Sequence, residues 1–395
     1  MQLSPNKQPN FDNTEIAFRQ KTNAELKKAY WLFKMIGSNF LTKVGPPITN
    51  FFLSIGLPIQ GAIKATIFQQ FCGGETIAEC DKAIAQLAKG GVGTILDYSV
   101  EGEEEETVFD ETCQEIIRTI LRAEGDLHIP ITVFKVTGIG RFSLLEKLDA
   151  KQTLTADETA AFEKVKMRCE MICRTAFEKQ VPVMIDAEET WIQDTIDELA
   201  LDMMRKFNQE RIIVYNTYQM YRHDKLADMK ADHLIAKAAG FVLGVKMVRG
   251  AYMEKERKRA EEMGYPSPIQ PDKDSSDRDY NESLRYCVDH IDEIAIVCGT
   301  HNEDSSRLLT YLMDEKKVPH NHPHVYFAQL LGMSDNLSFN LADANYNVTK
   351  YVPYGPIKAV MPYLFRRAQE NTSVAGQTGR ELGLIERELK RRSLK

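Results

Sequence analysis

Arg366 and Arg367 stand side by side one helical turn ahead of Glu370, in the run Tyr-Leu-Phe-Arg-Arg-Ala-Gln-Glu-Asn at 363–371. On a helix, Arg366 and Glu370 are i,i+4 neighbours, and Arg367 and Glu370 are i,i+3 neighbours. Paired guanidiniums offer forked donors that fit a carboxylate, which a lysine pair holds with less directional control. A small zwitterion suits such a group, with the arginines on its carboxylate and Glu370 near its ammonium. The same spacing also serves a solvated, charge-laced helix, so spacing alone leaves both readings open. Pro353, Gly355, Pro356 and Pro362 predict that this helix follows directly on a turn.

The elements that must position these groups show as apolar runs alternating with helical stretches. Strands are predicted over 93–100, 129–136, 182–187, 211–216, 242–248, 293–298, 323–327 and 347–352. Near-continuous apolar character fits strands buried on both faces, joined by helical crossovers. Eight such units predict a (βα)8 TIM barrel over 91–395. The alternative, an open doubly wound sheet, calls for a G-x-G-x-x-G loop, and the chain has none. Residues 1–90 read as an N-terminal helical arm, with helices over 17–36 and about 75–89. The acidic run 101–106 reads as a solvated loop, and 265–279, rich in proline and charge, as an inserted loop.

In a TIM barrel, chemistry gathers at the C-terminal ends of the strands. There the sequence sets Lys135, Asp186, Gln219, Lys246, Arg249 with Gly250 and Tyr252, then Thr300, His301 and Asn302, and finally Tyr351. Each alone has a structural explanation: a lysine in an ion pair, Asp186 as a helix cap, Tyr252 packed. Their recurrence at one strand end after another points to a site. His320, His322 and His324 precede the seventh strand, on the opposite face of a barrel, and no metal is expected.

Composition bounds the partners. The chain has 395 residues, 27% charged, with a net charge of −7, which argues against nucleic acid as a main partner. Seven scattered cysteines with no C-x-x-C fit a reducing compartment. Residues 1–21 carry Asp12 and Glu15, unlike an acid-poor transit peptide, so a cytoplasmic protein is expected. Residues 44–63 are uncharged and long enough for a span, but Pro46, Pro47 and Pro58 interrupt them. Peripheral membrane contact or packing against the fold is expected there.

The ordered motifs resemble flavin-dependent proline dehydrogenase, especially its stand-alone, eukaryote-like branch. They run from Gly-Val-Gly-Thr-Ile-Leu-Asp-Tyr (91–98) through Phe-Lys-Val-Thr-Gly (134–138), Asp-Ala-Glu-Glu (186–189) and Asn-Thr-Tyr-Gln-Met-Tyr (216–221). Val-Lys-Met-Val-Arg-Gly-Ala-Tyr (245–252), Gly-Thr-His-Asn (299–302), Phe-Ala-Gln-Leu-Leu-Gly-Met (327–333) and Tyr-Val-Pro-Tyr-Gly-Pro (351–356) continue the series up to the double arginine. The resemblance implies a distorted (βα)8 TIM barrel, and oxidation of L-proline to 1-pyrroline-5-carboxylate by hydride transfer to the N5 of FAD, with electrons passed to a quinone. It implies a proline site of Lys135, Asp186, Tyr252, Tyr351, Arg366, Arg367 and Glu370. It implies an FAD site of Gln219, Lys246, Arg249, Gly250, Thr300, His301 and Asn302, with Lys246 where many bacterial members carry arginine.

Overall fold

Eight parallel strands follow one another around a closed barrel in sequence order. They are β1 (Gly93–Tyr98), β2 (Ile131–Phe134), β3 (Val183–Ile185), β4 (Val214–Gln219), β5 (Leu243–Val248), β6 (Ile294–Gly299), β7 (Val325–Leu330) and β8 (Val348–Tyr354). The computed structural model describes residues 8–36, 61, 64–99, 104–373 and 377–393. The α/β barrel expected from the apolar runs is the fold of this chain. Every residue of β2, β3, β4 and β8 is buried, as strands covered on both faces must be.

Contact density divides the chain into two units, residues 95–328 and residues 1–94 with 329–395. In the first unit, register aligns the strands so that polar residues reach their C-terminal ends together. Asp97 pairs with Val133, Phe134 with Ile185, and Gln219 with Val248. The crossover helices are cut by local signals. Thr155 and Glu158 form a reciprocal capping box at the start of helix Ala156–Lys179. Arg168, buried on that helix, donates to Glu106, Asp110 and the carbonyl of Ile139. Glu106 therefore opens helix Glu106–Ala123 and holds a buried arginine, rather than closing a solvated loop as the acidic run suggested.

The second unit has its own apolar core, including Phe18, Leu26, Phe33, Phe71, Val360, Leu364 and Ile385. Within it lies a buried charge network. Asp335 Oδ1 is 2.8 Å from Lys350 Nζ and Oδ2 is 3.1 Å from Lys21 Nζ. Glu381 accepts from the Ser334 amide at 2.7 Å. Lys350 is fully buried and also donates to the carbonyls of Leu330 and Met333. Arg392 donates to the carbonyls of Phe18 and Lys21 and to Asn23 Oδ1, tying helix Gln377–Ser393 to the start of the described chain.

Several boundaries differ from expectation. β4 begins three residues later than predicted and takes in Thr217, Tyr218 and Gln219. Their polarity hid a strand whose side chains find partners, with Tyr218 Oη on Asp232 and Thr217 Oγ1 on the Ile185 carbonyl. The N-terminal helix is split into Thr14–Ala17 and Asn23–Ile36. The second half of the 265–279 loop is helical, because Asp272 caps helix Lys273–Asp289 through the Ser275 amide. Helix Ile357–Ser373 follows directly on Pro356 and contains Pro362. Residues 44–63, except residue 61, lie outside the described residues, as do 101–103 of the acidic run. Among the described residues, no helix is long and apolar enough to cross a membrane. The seven cysteines are all buried, and none is in a disulfide.

Candidate active site

In the first unit the strand ends assemble a row of alternating charges. Asp97 comes from β1, Lys135 follows β2, Asp186 follows β3, and Lys246 lies in β5. Lys135 Nζ is 3.9 Å from Asp97 Oδ1 and 3.6 Å from Asp186 Oδ2. Lys246 Nζ donates to Asp186 Oδ1. Ser99 Oγ donates to Asp97 Oδ2 at 2.7 Å. Asp97 and Lys246 are 3% and 5% exposed, so these charges interact where water screens little. Burial pulls the Lys246 ammonium below the usual lysine range, and Asp186 opposes that pull. Two cations balanced by two anions keep the row neutral, and it offers an ammonium to an anionic substrate group without an uncompensated buried charge.

Arg249, just past β5, is held on every side. Its Nε donates to Asp277 Oδ1 at 2.6 Å, Nη1 to Thr300 Oγ1 at 2.9 Å and Nη2 to Ser305 Oγ at 3.0 Å. The guanidinium stacks 4.4 Å over the Tyr280 ring. Thr300 Oγ1 also accepts from the Asn302 amide. Asn302 Oδ1 accepts from Ser305 N, so this side chain caps helix Glu303–Glu315. His301 is half-buried beside it, and Tyr252 is half-buried at the N-cap of helix Met253–Met263.

Gln219 and Gly250 test whether a flat polar cofactor is accommodated. Gln219 ends β4 rather than following it, and its Nε2 donates to the Glu188 carbonyl at 3.0 Å. That bond fixes which end of the carboxamide is which. Gln219 Oε1 is buried and has no hydrogen-bond donor among the described residues. An orphaned acceptor at a barrel strand end calls for a donor from a bound group, and the N3–H of an isoalloxazine is of that kind. Gly250 has φ +138°, and a Cβ there would meet the Tyr221 ring at 2.4 Å, so only glycine keeps this turn. These residues fit FAD.

The second unit holds the remaining expected residues. Tyr351 lies in β8, 7% exposed, and its carbonyl accepts from the Leu331 amide. Arg367 is 7% exposed, with its guanidinium 5.1 Å from the Tyr363 ring centroid. Arg366, its neighbour, is half-buried. Glu370 sits on the same helix by its backbone, and its side chain lies outside the described residues. A cavity of about 560 Å³ in this unit is lined by Lys21, Gln70, Cys72, Leu331, Asp335 and Phe339 among others, and none of the expected site residues whose side chains are described borders it.

Asp277 and Ser305, on crossover helices, carry no sequence signal of their own, whereas Asp97 and Glu188 lie within the motifs 91–98 and 186–189, which give neither a role. The histidines before β7 are engaged structurally: His320 bonds Asp314, and His324 bonds the Ile291 carbonyl. Among the described residues, no cluster of His, Cys, Asp and Glu is arranged to hold a metal.

Comparison with known proteins follows this geometry. The family model described as proline dehydrogenase matches residues 80–380. Proline dehydrogenase 1, mitochondrial, of Dictyostelium discoideum is 31% identical, covering 96% of this chain and 74% of its own length. A hydroxyproline dehydrogenase of Xenopus laevis is 30% identical, covering 95% of this chain and 88% of its own length. Among solved structures, proline utilization A of Bdellovibrio bacteriovorus superposes with a TM-score of 0.72 at 20% identity, over 91% of this chain. This chain spans 38% of that longer protein, and the likeness concerns the fold.

Proposed function

The chain belongs to the proline dehydrogenase family, and on that premise we propose that it oxidises L-proline to 1-pyrroline-5-carboxylate with FAD as its cofactor. The observation that carries this reading is the neutral row Asp97, Lys135, Asp186 and Lys246 at the barrel strand ends, beside the orphaned Gln219 acceptor. When bound, FAD supplies the hydride acceptor for C5 of proline.

The chain's own residues then have separable tasks. Arg366 and Arg367 pair with the proline carboxylate, aided by the Lys135 ammonium, with Glu370 near the amine. Asp186 keeps Lys135 and Lys246 charged and oriented. Tyr252 and Tyr351 wall the ring. Gln219, Gly250, Thr300, His301 and Asn302 hold the cofactor, and Lys246 and Arg249 place positive charge where the reduced cofactor becomes anionic. Fixing the donor carbon in place supplies much of the rate. Electrons pass to a quinone, and residues 44–63 make peripheral contact with a membrane from the cytoplasmic side.

Hydroxyproline is the second substrate to weigh, because a hydroxyproline dehydrogenase is among the relatives. A tyrosine at 351 against the substituted side of the ring disfavours an added hydroxyl. The purified protein is expected to show a flavin spectrum that L-proline bleaches under anaerobic conditions. A flavin that stays oxidised with proline and is reduced by hydroxyproline would overturn the proline assignment.

A further inference from the structure

Glu188 is buried between three elements of the first unit, yet the chemistry above gives its carboxyl no task. Oε1 accepts from the Thr137 amide at 3.0 Å, and Oε2 contacts Thr137 Oγ1. Thr137 lies in the 3-10 turn Val136–Gly138, whose N-cap is Lys135. The Glu188 carbonyl accepts from Gln219 Nε2 at 3.0 Å. Its amide donates to Gln193 Oε1 at 2.7 Å, and Gln193 Nε2 in turn donates to Asp197 Oδ1 at 2.8 Å. One residue therefore grips the turn that carries Lys135 and the carboxamide that presents the orphaned acceptor.

We propose that Glu188 is a positioning residue for the reaction, setting the Lys135 turn with its carboxyl and the Gln219 carboxamide with its own carbonyl. The proposal rests on the proline-oxidising reading. Chemistry dictates which form of the carboxyl does this. No ion pair reaches it among the described residues. The charged groups that face it are Lys135, at longer range, and Glu189, which pairs with Lys255. Thr137, Gln193 and Gln219 surround it from the other elements. Burial raises its carboxyl to about 8, against the hydrogen bonds from Thr137. At neutral pH the acid keeps its proton, with Oε1 accepting from the Thr137 amide and the protonated Oε2 against Thr137 Oγ1. Above that range a bare charge forms in an enclosed space and shifts the turn that carries Lys135, while the backbone carbonyl keeps its hold on the Gln219 carboxamide.

Glutamine copies the protonated acid: its Oε1 accepts from the Thr137 amide and its Nε2 donates to Thr137 Oγ1. Alanine removes both contacts. The holoenzymes of Glu188→Ala and Glu188→Gln are to be compared with wild type for proline KM, kcat and the rate of flavin release, between pH 6.5 and pH 9.5. Glu188→Ala is expected to raise KM by about tenfold, as loss of an outer-shell partner does, with smaller effects on kcat and on flavin release because its backbone carbonyl still accepts from Gln219. Glu188→Gln is expected to restore KM at pH 7 and to flatten the wild-type rise in KM above about pH 8. A Glu188→Ala enzyme within about twofold of wild type in KM overturns the proposal. So does a Glu188→Gln enzyme that retains the wild-type alkaline rise, which decides alone if the alanine variant does not fold. Failure of wild-type flavin to bleach with proline instead overturns the underlying reading, whatever the variants do.

Discussion

Asp186 and Lys246, 60 residues apart in sequence, meet inside the barrel as a buried carboxylate–ammonium pair. Asp186 has only just left β3, and Lys246 is in β5, so the pair crosses over β4. Neither group could be buried alone without a large desolvation cost, and Lys135 on the other side of Asp186 shares the same carboxylate.

Lys246→Met removes from Asp186 the nearer of its two described lysine partners. Removing one partner of a buried pair is expected to cost about 3–5 kcal/mol in denaturant unfolding. Combined with Asp186→Asn, the loss should fall short of the sum of the two single losses. Strictly additive losses would show that the two side chains do not interact.

Arg367→Met is expected to raise KM for proline at least about tenfold, since a hydrogen bond to a charged group is worth about 1.5–3 kcal/mol. Arg367 is 7% exposed, so water cannot replace the lost guanidinium at little cost. Unchanged proline kinetics would remove this arginine from the substrate site.

The charge network of the second unit predicts acid sensitivity. Burial alone would raise the Asp335 carboxyl, but Lys21 and Lys350 overcome that and hold it at about 2. A carboxyl held below its usual range stabilises the fold above the ordinary carboxylate range and loses that contribution as pH falls toward 2. Asp335→Asn is expected to cost about 3–5 kcal/mol at pH 7, because fully buried Lys350 and half-buried Lys21 lose their nearest counter-charge. Its unfolding free energy should also vary less between pH 4 and pH 2 than that of wild type. Parallel acid profiles would show that Asp335 titrates normally.

Deletion of residues 44–63 is expected to weaken sedimentation with liposomes while leaving the flavin spectrum in place. The segment is uncharged between Lys43 and Lys64, and its prolines suit contact with an interface better than a span. Equal partitioning of both proteins would rule out a membrane role for it.

Strands whose residues are apolar throughout were legible in the sequence, and β6 lies within one residue of its expected bounds. β4 was not, because Thr217, Tyr218 and Gln219 satisfy their polar groups through neighbouring elements that no local window contains. The same reason separates the legible from the hidden part of the site. Lys135, Asp186, Lys246 and Arg249 stand out as polar groups at the ends of apolar runs. Asp97, Glu188, Asp277 and Ser305 acquire meaning only from partners 28–56 residues distant. Helix Ile357–Ser373 follows directly on the turn that Pro353, Gly355 and Pro356 mark, while Pro362 lies inside its second turn.

The bond from Arg392 to the Phe18 carbonyl closes a loop of 374 residues, and its consequence concerns the order of folding. Residues 95–328 are contiguous and carry β2 through β6 complete, whereas β8 belongs to the other unit. The other unit is discontinuous, so its first half must wait, with Phe18, Leu26 and Phe33 uncovered, until residues 329–393 leave the ribosome. Those waiting side chains make the nascent N-terminal portion a natural client for a holding chaperone, and slow closure of so long a loop is the step at which expression of this protein is most exposed to aggregation.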